Sequence, residues 1–343
     1  MTRHSAVDGE PLPLPLPLAR TYDTALLDLD GVVYVGPYAV EHAAPSLARA
    51  EALGMRLAYV TNNAYRTPRA VGEHLRRLGL PAAEDDVVTS AQAAARLAAE
   101  LRPPVVRVLA IGGEGLLAAL RARGLEPVRS ADDEPDCVVQ GFAPTVSWRE
   151  LAEAAYAVGR GVPWIVTNAD PNAPTHRGTA PGNGALAGVV RAATGAVPLV
   201  AGKPSAALLR EGAARTGARR PLMVGDRLDT DVEGARTAGF DSLVVLTGAT
   251  TPYELLTAPE HQRPTHVAAD LRGLLAPARR VEEHAGGFRC GGWRGSVRDG
   301  ELVLRGRGDR EDALWAACRA AWSAPEPPCT ATALATLARC ARE

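Results

Sequence analysis

The chain has almost no lysine. Its 343 residues include 38 lysines and arginines together, and only one of these, Lys203, is a lysine. This scarcity excludes lysine-rich binding surfaces and indicates that arginine could not take the place of this residue. Lysine carries a compact charge on a thin side chain, so it can enter a pocket that a planar guanidinium cannot. We therefore predict that Lys203 lies in an active site, and the alternative is an isolated, solvated surface lysine.

Cysteine is also scarce, and its spacing excludes two kinds of site. The five cysteines lack a CxxC pair, which argues against a disulfide framework and against a zinc site. An odd number of widely spaced cysteines fits a reducing compartment. We therefore expect a cytoplasmic protein.

Long apolar runs and a strong net charge are both missing. No window approaches the roughly 20 apolar residues of a membrane span, so no membrane partner is expected. A formal net charge of -1 gives no general attraction to nucleic acid. Residues 11–18 alternate proline with leucine, which prevents the helical apolar segment of a secretory signal. We predict a flexible, extended leader over residues 1–20.

The sequence does contain an alternation of short apolar runs with helical segments rich in alanine and leucine. The apolar runs lie at residues 25–29, 57–61, 105–111, 137–141, 164–168, 199–202, 222–225 and 243–247. This alternation is typical of an α/β fold, in which helices cover parallel sheets. In such sheets, ligands bind at the carboxyl ends of the strands.

Four of the apolar runs lead directly into polar side chains. They end in Asp28-Leu29-Asp30-Gly31, Thr61-Asn62-Asn63, Gly202-Lys203-Pro204 and Gly225-Asp226. Because Asp28 and Asp30 are two residues apart, both carboxylates can face the same side of a strand end. Two carboxylates this close favour a divalent cation between them, and an oxygen ligand set points to Mg²⁺. Asp226 is the obvious third oxygen ligand.

These residue types also predict a reaction. A cation held by few carboxylates is typical of sites in which a substrate phosphate supplies the remaining oxygens. Thr61 and Asn62 offer a hydroxyl and backbone N–H groups to that phosphate, and Lys203 neutralises the remaining charge. We predict attack on phosphorus by Asp28, with Asp30 as the acid and base. Each segment alone also fits a plain turn, a solvated acidic pair or a helix cap.

Together, the four segments resemble the four motifs of the haloacid dehalogenase (HAD) superfamily. The run Asp28-Leu29-Asp30-Gly31-Val32-Val33-Tyr34 is similar, more narrowly, to the first motif of its class IIA, NagD-like phosphatases. The resemblance implies a Rossmannoid core and an aspartyl-phosphate intermediate. It also implies that Mg²⁺ is held by the side chains of Asp28 and Asp226 and the carbonyl of Asp30. Asp231 would be an acid that holds the site together.

The spacing of the motifs supports this class. The long separation between Thr61 and Lys203 leaves room for an inserted α/β cap domain of the C2 type, expected over residues 90–184. The core domain is then expected over residues 21–89 and 185–278. In the cap, Asn168 and Asp170 lie in a segment that resembles the family's TNxD sequence, so we predict that they lie near the substrate. Plain turn chemistry after a strand is the alternative.

Residues 279–343 are expected to form a small α+β extension that packs on the main body or on a partner. Asp299 and Gly300 predict a hairpin turn. Asp309 predicts the N-terminal cap of a helix that runs to about Trp322. Residues 287–324 are similar to the extension of some bacterial class IIA members that are glycerol 3-phosphate phosphatases.

The resemblance therefore implies a Mg²⁺-dependent phosphatase that acts on a small phosphorylated metabolite, with glycerol 3-phosphate as the best candidate. Phosphoglycolate, pyridoxal phosphate, nucleotides and sugar phosphates remain alternatives, because the cap loops decide among them. A regulatory protein that binds a phosphorylated metabolite without catalysis is the alternative from another class. The chain could also form a homodimer.

Overall fold

The computed structural model describes residues 15–101, 104–175, 177–284 and 286–340. Residues 1–14 of the predicted leader lie outside these ranges. The residues that follow form a helical turn, α1 (Leu18–Thr21), in which Leu18 and Ala19 are buried. The amide of Leu18 donates a hydrogen bond to the carbonyl of Ala276 at 2.9 Å. The prediction of a flexible leader is therefore wrong for its last residues, because they pack on the folded chain.

The first part of the core alternates strands with helices. Its elements are β1 (Thr24–Leu27), β2 (Tyr34–Val35), β3 (Tyr38–Ala39), α2 (Ala43–Ala52), β4 (Arg56–Thr61), α3 (Pro68–Arg77), β5 (Val87–Thr89) and α4 (Ser90–Glu100). Helix α3 begins after Thr67, whose side chain accepts a hydrogen bond from the amide of Ala70. Pro68 then occupies the first helical turn, where its missing N–H leaves no hydrogen bond unmade.

The inserted cap contains a second parallel sheet. Its elements are β6 (Arg107–Ile111), α5 (Glu114–Ala122), β7 (Glu126–Val128), a 3₁₀ turn (Ala131–Asp133), β8 (Cys137–Gln140), α6 (Trp148–Gly159), β9 (Trp164–Val166), β10 (Asn172–Thr175), β11 (Gly178–Pro181), α7 (Asn183–Thr194) and β12 (Leu199–Val200). The sheet order is β12-β9-β8-β6-β7, and β10 and β11 form a separate hairpin. The cap was expected to end at residue 184, which is too early. Helix α7 still packs on α6, and β12 still pairs with β9, so both belong to the cap.

The chain then completes the core sheet. The remaining core elements are α8 (Ala206–Thr216), β13 (Pro221–Gly225), a π-helical turn (Leu228–Val232), α9 (Glu233–Ala238), β14 (Asp241–Val245), α10 (Pro252–Leu256), a 3₁₀ turn (Glu260–Gln262), β15 (His266–Ala268) and a 3₁₀ turn (Leu271–Leu275). The core strands run parallel in the order β15-β14-β13-β1-β4-β5. The predicted Rossmannoid α/β core is confirmed. Sequence reasoning missed β5 and β15, because three residues give too little periodic signal.

An apolar cluster joins the core to the cap. It contains Leu26 and Val60 from core strands together with Val108 and Val139 from cap strands. Helix α4 lies between the two sheets and contributes a buried face of alanines to the same cluster. Burial of apolar surface on both sides of α4 stabilises the arrangement of the two domains.

The C-terminal extension is an α+β unit. Its elements are β16 (Val281–His284), β17 (Gly287–Cys290), β18 (Trp293–Arg298), β19 (Glu301–Gly306), α11 (Arg310–Trp322) and α12 (Ala331–Cys340), and its strands form one antiparallel sheet in chain order. The predicted hairpin is confirmed: between β18 and β19, Asp299 and Gly300 have φ angles of 51° and 76°, as a two-residue turn requires. The predicted cap is also confirmed, since the side chain of Asp309 accepts hydrogen bonds from the amides of Glu311 and Asp312.

The extension packs on the core. Leu314 of α11 belongs to the same apolar cluster as Val244 and Leu255 of the core. The indole of Trp322 donates a hydrogen bond to the carbonyl of Leu255 at 2.9 Å, and the guanidinium of Arg263 lies 5.6 Å from the centre of that ring. Within the ranges that the structure describes, every helix is too short or too polar to span a lipid bilayer.

Candidate active site

The polar segments predicted from the sequence meet at one edge of the core sheet. Strand β1 pairs in parallel with β13 on one side and β4 on the other. Asp28, Thr61 and Asp226 therefore stand at the carboxyl ends of three neighbouring strands. All four residues of β1 are buried, so the apolar strand fixes the position of Asp28. Lys203 reaches the same place from the loop after β12.

Lys203 is buried between two carboxylates. Its side chain is 3% exposed, and its Nζ lies 2.6 Å from Oδ1 of Asp28 and 2.7 Å from Oδ1 of Asp231. Burial alone would lower the pKa of Lys203, but Asp231 and Asp28 outweigh this effect and raise the pKa above its usual value. The amine therefore stays charged in a space that suits a thin side chain.

Asp231 holds the loop that carries Asp226. Its Oδ2 accepts hydrogen bonds from the amides of Asp226 and Arg227, both at 3.1 Å. Burial raises the pKa of Asp231 to about 6, although Lys203 offsets part of the rise. With Lys203 on Oδ1 and two amides on Oδ2, both oxygens of Asp231 are used within the protein.

Asp226 has one carboxylate oxygen free for a ligand. Its Oδ2 accepts a hydrogen bond from the amide of Ala249 at 2.7 Å. Its Oδ1 is buried and has no hydrogen-bond partner among the described residues. Burial raises the pKa of Asp226 to about 6, and the charge of Asp231 adds to the rise. A buried charged oxygen without a partner is costly, and a bound cation would remove that cost.

The donor set around Asp226 fits a metal ion. One carboxylate oxygen each from Asp28, Asp226 and Asp231 lies within 4.8 Å of the others. Three carboxylates against the single charge of Lys203 leave the cluster negative, and burial raises the pKa of Asp28 as well. An oxygen-only set of this charge suits Mg²⁺. Asp28 and Asp226 are the better ligands of the three, because Asp231 already pairs with Lys203 through Oδ1 and accepts two amides at Oδ2.

The backbone passes close to the carboxylate of Asp226 at two glycines. Gly31 has a φ of +81°, and a Cβ there would lie 2.4 Å from Oδ2 of Asp226; at Gly248 the corresponding distance is 2.0 Å. Neither position has room for a side chain. The hydroxyl of Thr247 also donates to the carbonyl of Gly31 at 2.5 Å. Sequence reasoning missed Gly248 and Ala249, because they approach the carboxylate through backbone atoms.

Asp30 lies at the exposed mouth of the site. The hydroxyl of Tyr34, in β2, donates a hydrogen bond to Oδ2 of Asp30 at 3.4 Å. Desolvation by the surrounding protein raises the pKa of Asp30, and the hydrogen bond from Tyr34 and the charge of Arg66 oppose the rise. A carboxyl group with a raised pKa can hold a proton for a leaving group.

Thr61 and Asn62 differ in what their side chains contact. Thr61 is 6% exposed at the end of β4, and its hydroxyl accepts a hydrogen bond from the amide of Asn63 at 3.1 Å. The Oδ1 of Asn62 accepts a hydrogen bond from the amide of Lys203 at 2.8 Å, and its Nδ2 donates to the Lys203 carbonyl at 3.1 Å. Because that side chain is occupied, only the backbone N–H of Asn62 is left for the predicted phosphate contact.

The two predicted cap residues contact Asn62. Asn168 donates from Nδ2 to the carbonyl of Asn62 at 2.7 Å and accepts at Oδ1 from the amide of Asp170 at 3.2 Å. Oδ2 of Asp170 accepts a hydrogen bond from Nδ2 of Asn62 at 3.1 Å. These contacts argue against substrate binding by Asn168, because its Nδ2 and Oδ1 already form hydrogen bonds within the protein.

Sequence reasoning missed further polar residues beside the site. Ser90 donates from its hydroxyl to the carbonyl of Asn62 at 2.6 Å, and Asn183 donates from Nδ2 to the carbonyl of Asn168 at 2.8 Å. Ser90 begins α4 and Asn183 begins α7. In the sequence, polar residues at these positions look like ordinary helix starts, so neither side chain was predicted to contact the site.

Two segments of the chain match models of known protein families. Residues 25–126 match the model of the haloacid dehalogenase-like hydrolases, and residues 200–274 match a second model described as HAD hydrolase-like. The two matched segments contain the four motifs, and the cap lies largely between them.

The chain is similar to phosphatases over most of its length. The D-glycerol 3-phosphate phosphatase of Mycobacterium tuberculosis is 43% identical over 86% of this chain and 82% of its own length. The acid sugar phosphatase of Staphylococcus saprophyticus is 35% identical over 75% of this chain and 98% of its own length.

A solved structure extends the likeness to the C-terminal region. The crystal structure of a glycerol phosphate phosphatase from Mycobacterium tuberculosis in complex with magnesium has a TM-score of 0.85 and 41% identity, and covers 94% of this chain and 98% of that chain. This coverage exceeds the share of the chain that lies outside residues 279–343, so the match includes much of the extension. The chain belongs to the haloacid dehalogenase-like hydrolases.

Proposed function

We propose that this enzyme, a phosphoric monoester hydrolase, hydrolyses glycerol 3-phosphate with Mg²⁺ as its cofactor. The observation that carries the proposal is the contact of 2.6 Å between Lys203 and Asp28, next to the unpartnered oxygen of Asp226. This cluster combines a nucleophile, a fixed cation and a metal ligand. The likeness to the glycerol 3-phosphate phosphatase of Mycobacterium tuberculosis, including the extension, supports the substrate.

Asp28 and Asp226 would hold Mg²⁺ through their side chains, and Asp30 through its carbonyl. When bound, Mg²⁺ neutralises negative charge at the phosphate, so that an anionic nucleophile can approach an anionic ester. Lys203 contributes a second positive charge that is fixed by burial and needs no rearrangement during the reaction. The magnesium complex of the Mycobacterium tuberculosis phosphatase supports this assignment.

The chain's own residues account for both steps of the reaction. In the first step, a carboxylate oxygen of Asp28 attacks phosphorus, the bond from phosphorus to the ester oxygen breaks, and Asp30 gives its proton to the leaving alkoxide. In the second step, water attacks phosphorus, Asp30 takes a proton from that water, and the bond to Asp28 breaks to release phosphate. The hydroxyl of Thr61 and the backbone N–H of Asn62 bind phosphate oxygens throughout.

Sugar phosphates are the second candidate substrates, because the acid sugar phosphatase of Staphylococcus saprophyticus also resembles this chain. That match covers 75% of the chain. The core and cap together are long enough to account for it without the extension. The longer match to the Mycobacterium tuberculosis enzyme therefore favours glycerol 3-phosphate.

The test is phosphate release by the wild-type protein and by Asp28→Asn, each with Mg²⁺ and with a chelator. The substrate panel contains glycerol 3-phosphate, a sugar phosphate, phosphoglycolate, pyridoxal phosphate and a nucleoside monophosphate. We expect the highest kcat/KM with glycerol 3-phosphate, and no release from Asp28→Asn or with the chelator. A higher kcat/KM for a sugar phosphate would overturn the substrate, and release by Asp28→Asn would overturn the nucleophile.

A further inference from the structure

We infer that the side chain of Asn62 is a positioning residue through which the cap orients Lys203, and that Asp170 acts on the reaction through Asn62 without touching the substrate. The inference deepens the proposed function and rests on it, because it concerns the orientation of the catalytic amine. Four segments of the chain meet at this point: the end of β4, the start of α4, the cap segment after β9 and the loop that carries Lys203.

Asn62 fixes the backbone of Lys203 from both sides. Its Oδ1 accepts from the Lys203 amide at 2.8 Å, and its Nδ2 donates to the Lys203 carbonyl at 3.1 Å. One planar side-chain amide thus binds both polar backbone atoms of a single residue. A Cβ at Gly202 would lie 2.5 Å from Oδ1 of Asn62, so the neighbouring glycine is needed for this close approach. The direction in which the lysine side chain leaves the backbone is set by these two bonds.

Asp170 fixes the orientation of the same amide from the cap. A carboxylate only accepts hydrogen bonds, so the group that Asn62 turns toward Asp170 must be Nδ2, and that contact measures 3.1 Å. Oδ1 then has to face the amide of Lys203. The contacts with Asp170 and with Lys203 therefore require the same orientation of the Asn62 side-chain amide.

The backbone of Asn62 is held as firmly as its side chain. Its carbonyl accepts hydrogen bonds from Nδ2 of Asn168 at 2.7 Å and from the hydroxyl of Ser90 at 2.6 Å. Asn183, at the start of α7, in turn binds the carbonyl of Asn168. An unbroken series of hydrogen bonds therefore runs from a cap helix through Asn168 and Asn62 to Lys203, and from there to Asp28.

Electrostatics also oppose contact between Asp170 and the substrate phosphate. The carboxylates of Asp28, Asp30 and Asp226 already face that dianion, so a further anion beside it would be repelled. The hydrogen bond from Nδ2 of Asn62 directs the Asp170 carboxylate toward a protein group.

The single lysine of the chain makes the test direct. Protein labelled with ¹³C and ¹⁵N in lysine alone gives one lysine side-chain signal, which belongs to Lys203. We expect Asn62→Ala and Asp170→Ala to shift this signal in the substrate-free enzyme. Asp85→Ala, an exposed position before β5 at the opposite edge of the core sheet, is the control and should leave the signal in place. A signal that stays in place in folded Asn62→Ala and Asp170→Ala would overturn the inference.

Kinetics give a second readout. Displacement of a catalytic group by about 1 Å can cost roughly 100-fold in rate, so we expect kcat to fall about 10- to 100-fold in both alanine variants. The fall should be equal for glycerol 3-phosphate and p-nitrophenyl phosphate, with little change in KM, and the double variant should be no slower than Asn62→Ala. Asp170→Asn should restore most of the activity, because its amide oxygen still accepts from Asn62.

A raised KM in Asp170→Ala for glycerol 3-phosphate alone would mean that Asp170 binds the glycerol moiety, which would overturn the inference. If an alanine variant fails to fold, Asn62→Leu replaces it, since it keeps about the size of the side chain and removes the donor and the acceptor without adding a charge. An inactive wild type would reject the proposed function, and the lysine signal would still decide the structural part of the inference.

Discussion

The amine of Lys203 lies 2.6 Å from Oδ1 of Asp28, although the two residues are 175 positions apart in the sequence. The lysine follows the last strand of the cap, and the aspartate follows the first strand of the core. The pair therefore forms only when cap and core have both folded and packed together. Under the proposed mechanism, activity therefore depends on the packing of the cap on the core.

Replacement of Lys203 by arginine should abolish most of the activity even though the charge is kept. The pocket encloses all but 3% of the side chain, and a guanidinium is wider and carries its donors in a fixed plane. We expect kcat to fall by about 100-fold or more, as for a misplaced catalytic group. Arg121→Lys, at an exposed position of α5, is the matched control and should keep wild-type kcat. Near-normal turnover by Lys203→Arg would contradict the importance of lysine at this position.

Mg²⁺ should stabilise the wild-type protein against heat and should fail to stabilise Asp226→Asn. The cation binds the folded state alone, so at about 100 times its Kd it would add roughly 2.7 kcal/mol to the free energy of unfolding. Thermal unfolding with Mg²⁺ and with chelator measures the shift in Tm. The same shift in Asp226→Asn as in the wild type would show that this carboxylate does not bind the metal.

Gly31→Ala should reduce both activity and the response to Mg²⁺. The new Cβ would lie 2.4 Å from Oδ2 of Asp226, so the ligand has to move. Gly36→Ala is the matched control, because Gly36 also has a positive φ but a Cβ at that position would meet no atom within 4 Å.

The control should therefore show only backbone strain of about 1 kcal/mol in unfolding experiments, with kcat close to that of the wild type. Steady-state kinetics over a range of Mg²⁺ concentrations measure the effect. Equal behaviour of the two variants would contradict a role for the close contact at Gly31.

Glu211→Gln should destabilise the protein in a manner that depends on pH. The Glu211 side chain is 2% exposed and lies within 3.1 Å of Arg96 and 2.7 Å of both Arg123 and Arg215. Arg123 belongs to the cap and Arg96 to α4, so the cluster ties the cap to the core. Burial alone would raise the pKa of Glu211, but the arginines outweigh it and lower the pKa.

A carboxylate whose pKa is lowered by folding stabilises the protein above its unfolded pKa, and this stability is lost as the pH falls through the folded pKa. The penalty of Glu211→Gln should therefore be full at neutral pH, at about 2 kcal/mol because the arginines are partly solvated, and should shrink in acid. Urea unfolding of both proteins at pH 7 and at pH 4 tests this. A destabilisation by Glu211→Gln that is larger at pH 4 than at pH 7 would contradict this prediction.

Trp322→Ala should weaken the attachment of the extension to the core. It removes the hydrogen bond to Leu255 and the contact with Arg263, and a large-to-small change at a packed aromatic position costs about 3 kcal/mol. Trp148→Ala is the matched control: Trp148 is 77% exposed, so its loss should change the free energy of unfolding by at most about 0.5 kcal/mol. Equal penalties for the two variants would argue that the extension does not stabilise the core.

Sequence reasoning located the parts of the molecule that carry a strong local signal. Buried apolar runs that end in aspartate, threonine or lysine identified the strands and the residues at their carboxyl ends. The Asp-Gly turn at residues 299–300 and the cap at Asp309 follow from the conformational preferences of those residues. In each case the pattern and its cause lie within a few neighbouring residues.

The contacts that the sequence did not reveal are long-range and largely carried by the backbone. Gly248 and Ala249 approach Asp226 through backbone atoms, and such contacts leave no polar pattern. Asn62 was expected to offer its backbone N–H to a phosphate, and no pattern in the sequence indicated that its side chain binds Lys203 and Asp170. Only the packing of cap on core brings these residues together. The end of the cap was placed too early because β12 has two residues and joins the cap sheet across a long separation.

The edge strands of both parallel sheets are short, and this affects the tendency of the folded protein to aggregate. The core sheet is bordered by β5 and β15, which have three residues each, and the cap sheet by β7 with three and β12 with two. A strand of that length offers few unpaired backbone groups to another molecule. Both parallel sheets therefore resist intermolecular strand addition, and a crowded solution of the folded enzyme has little tendency to aggregate from their edges.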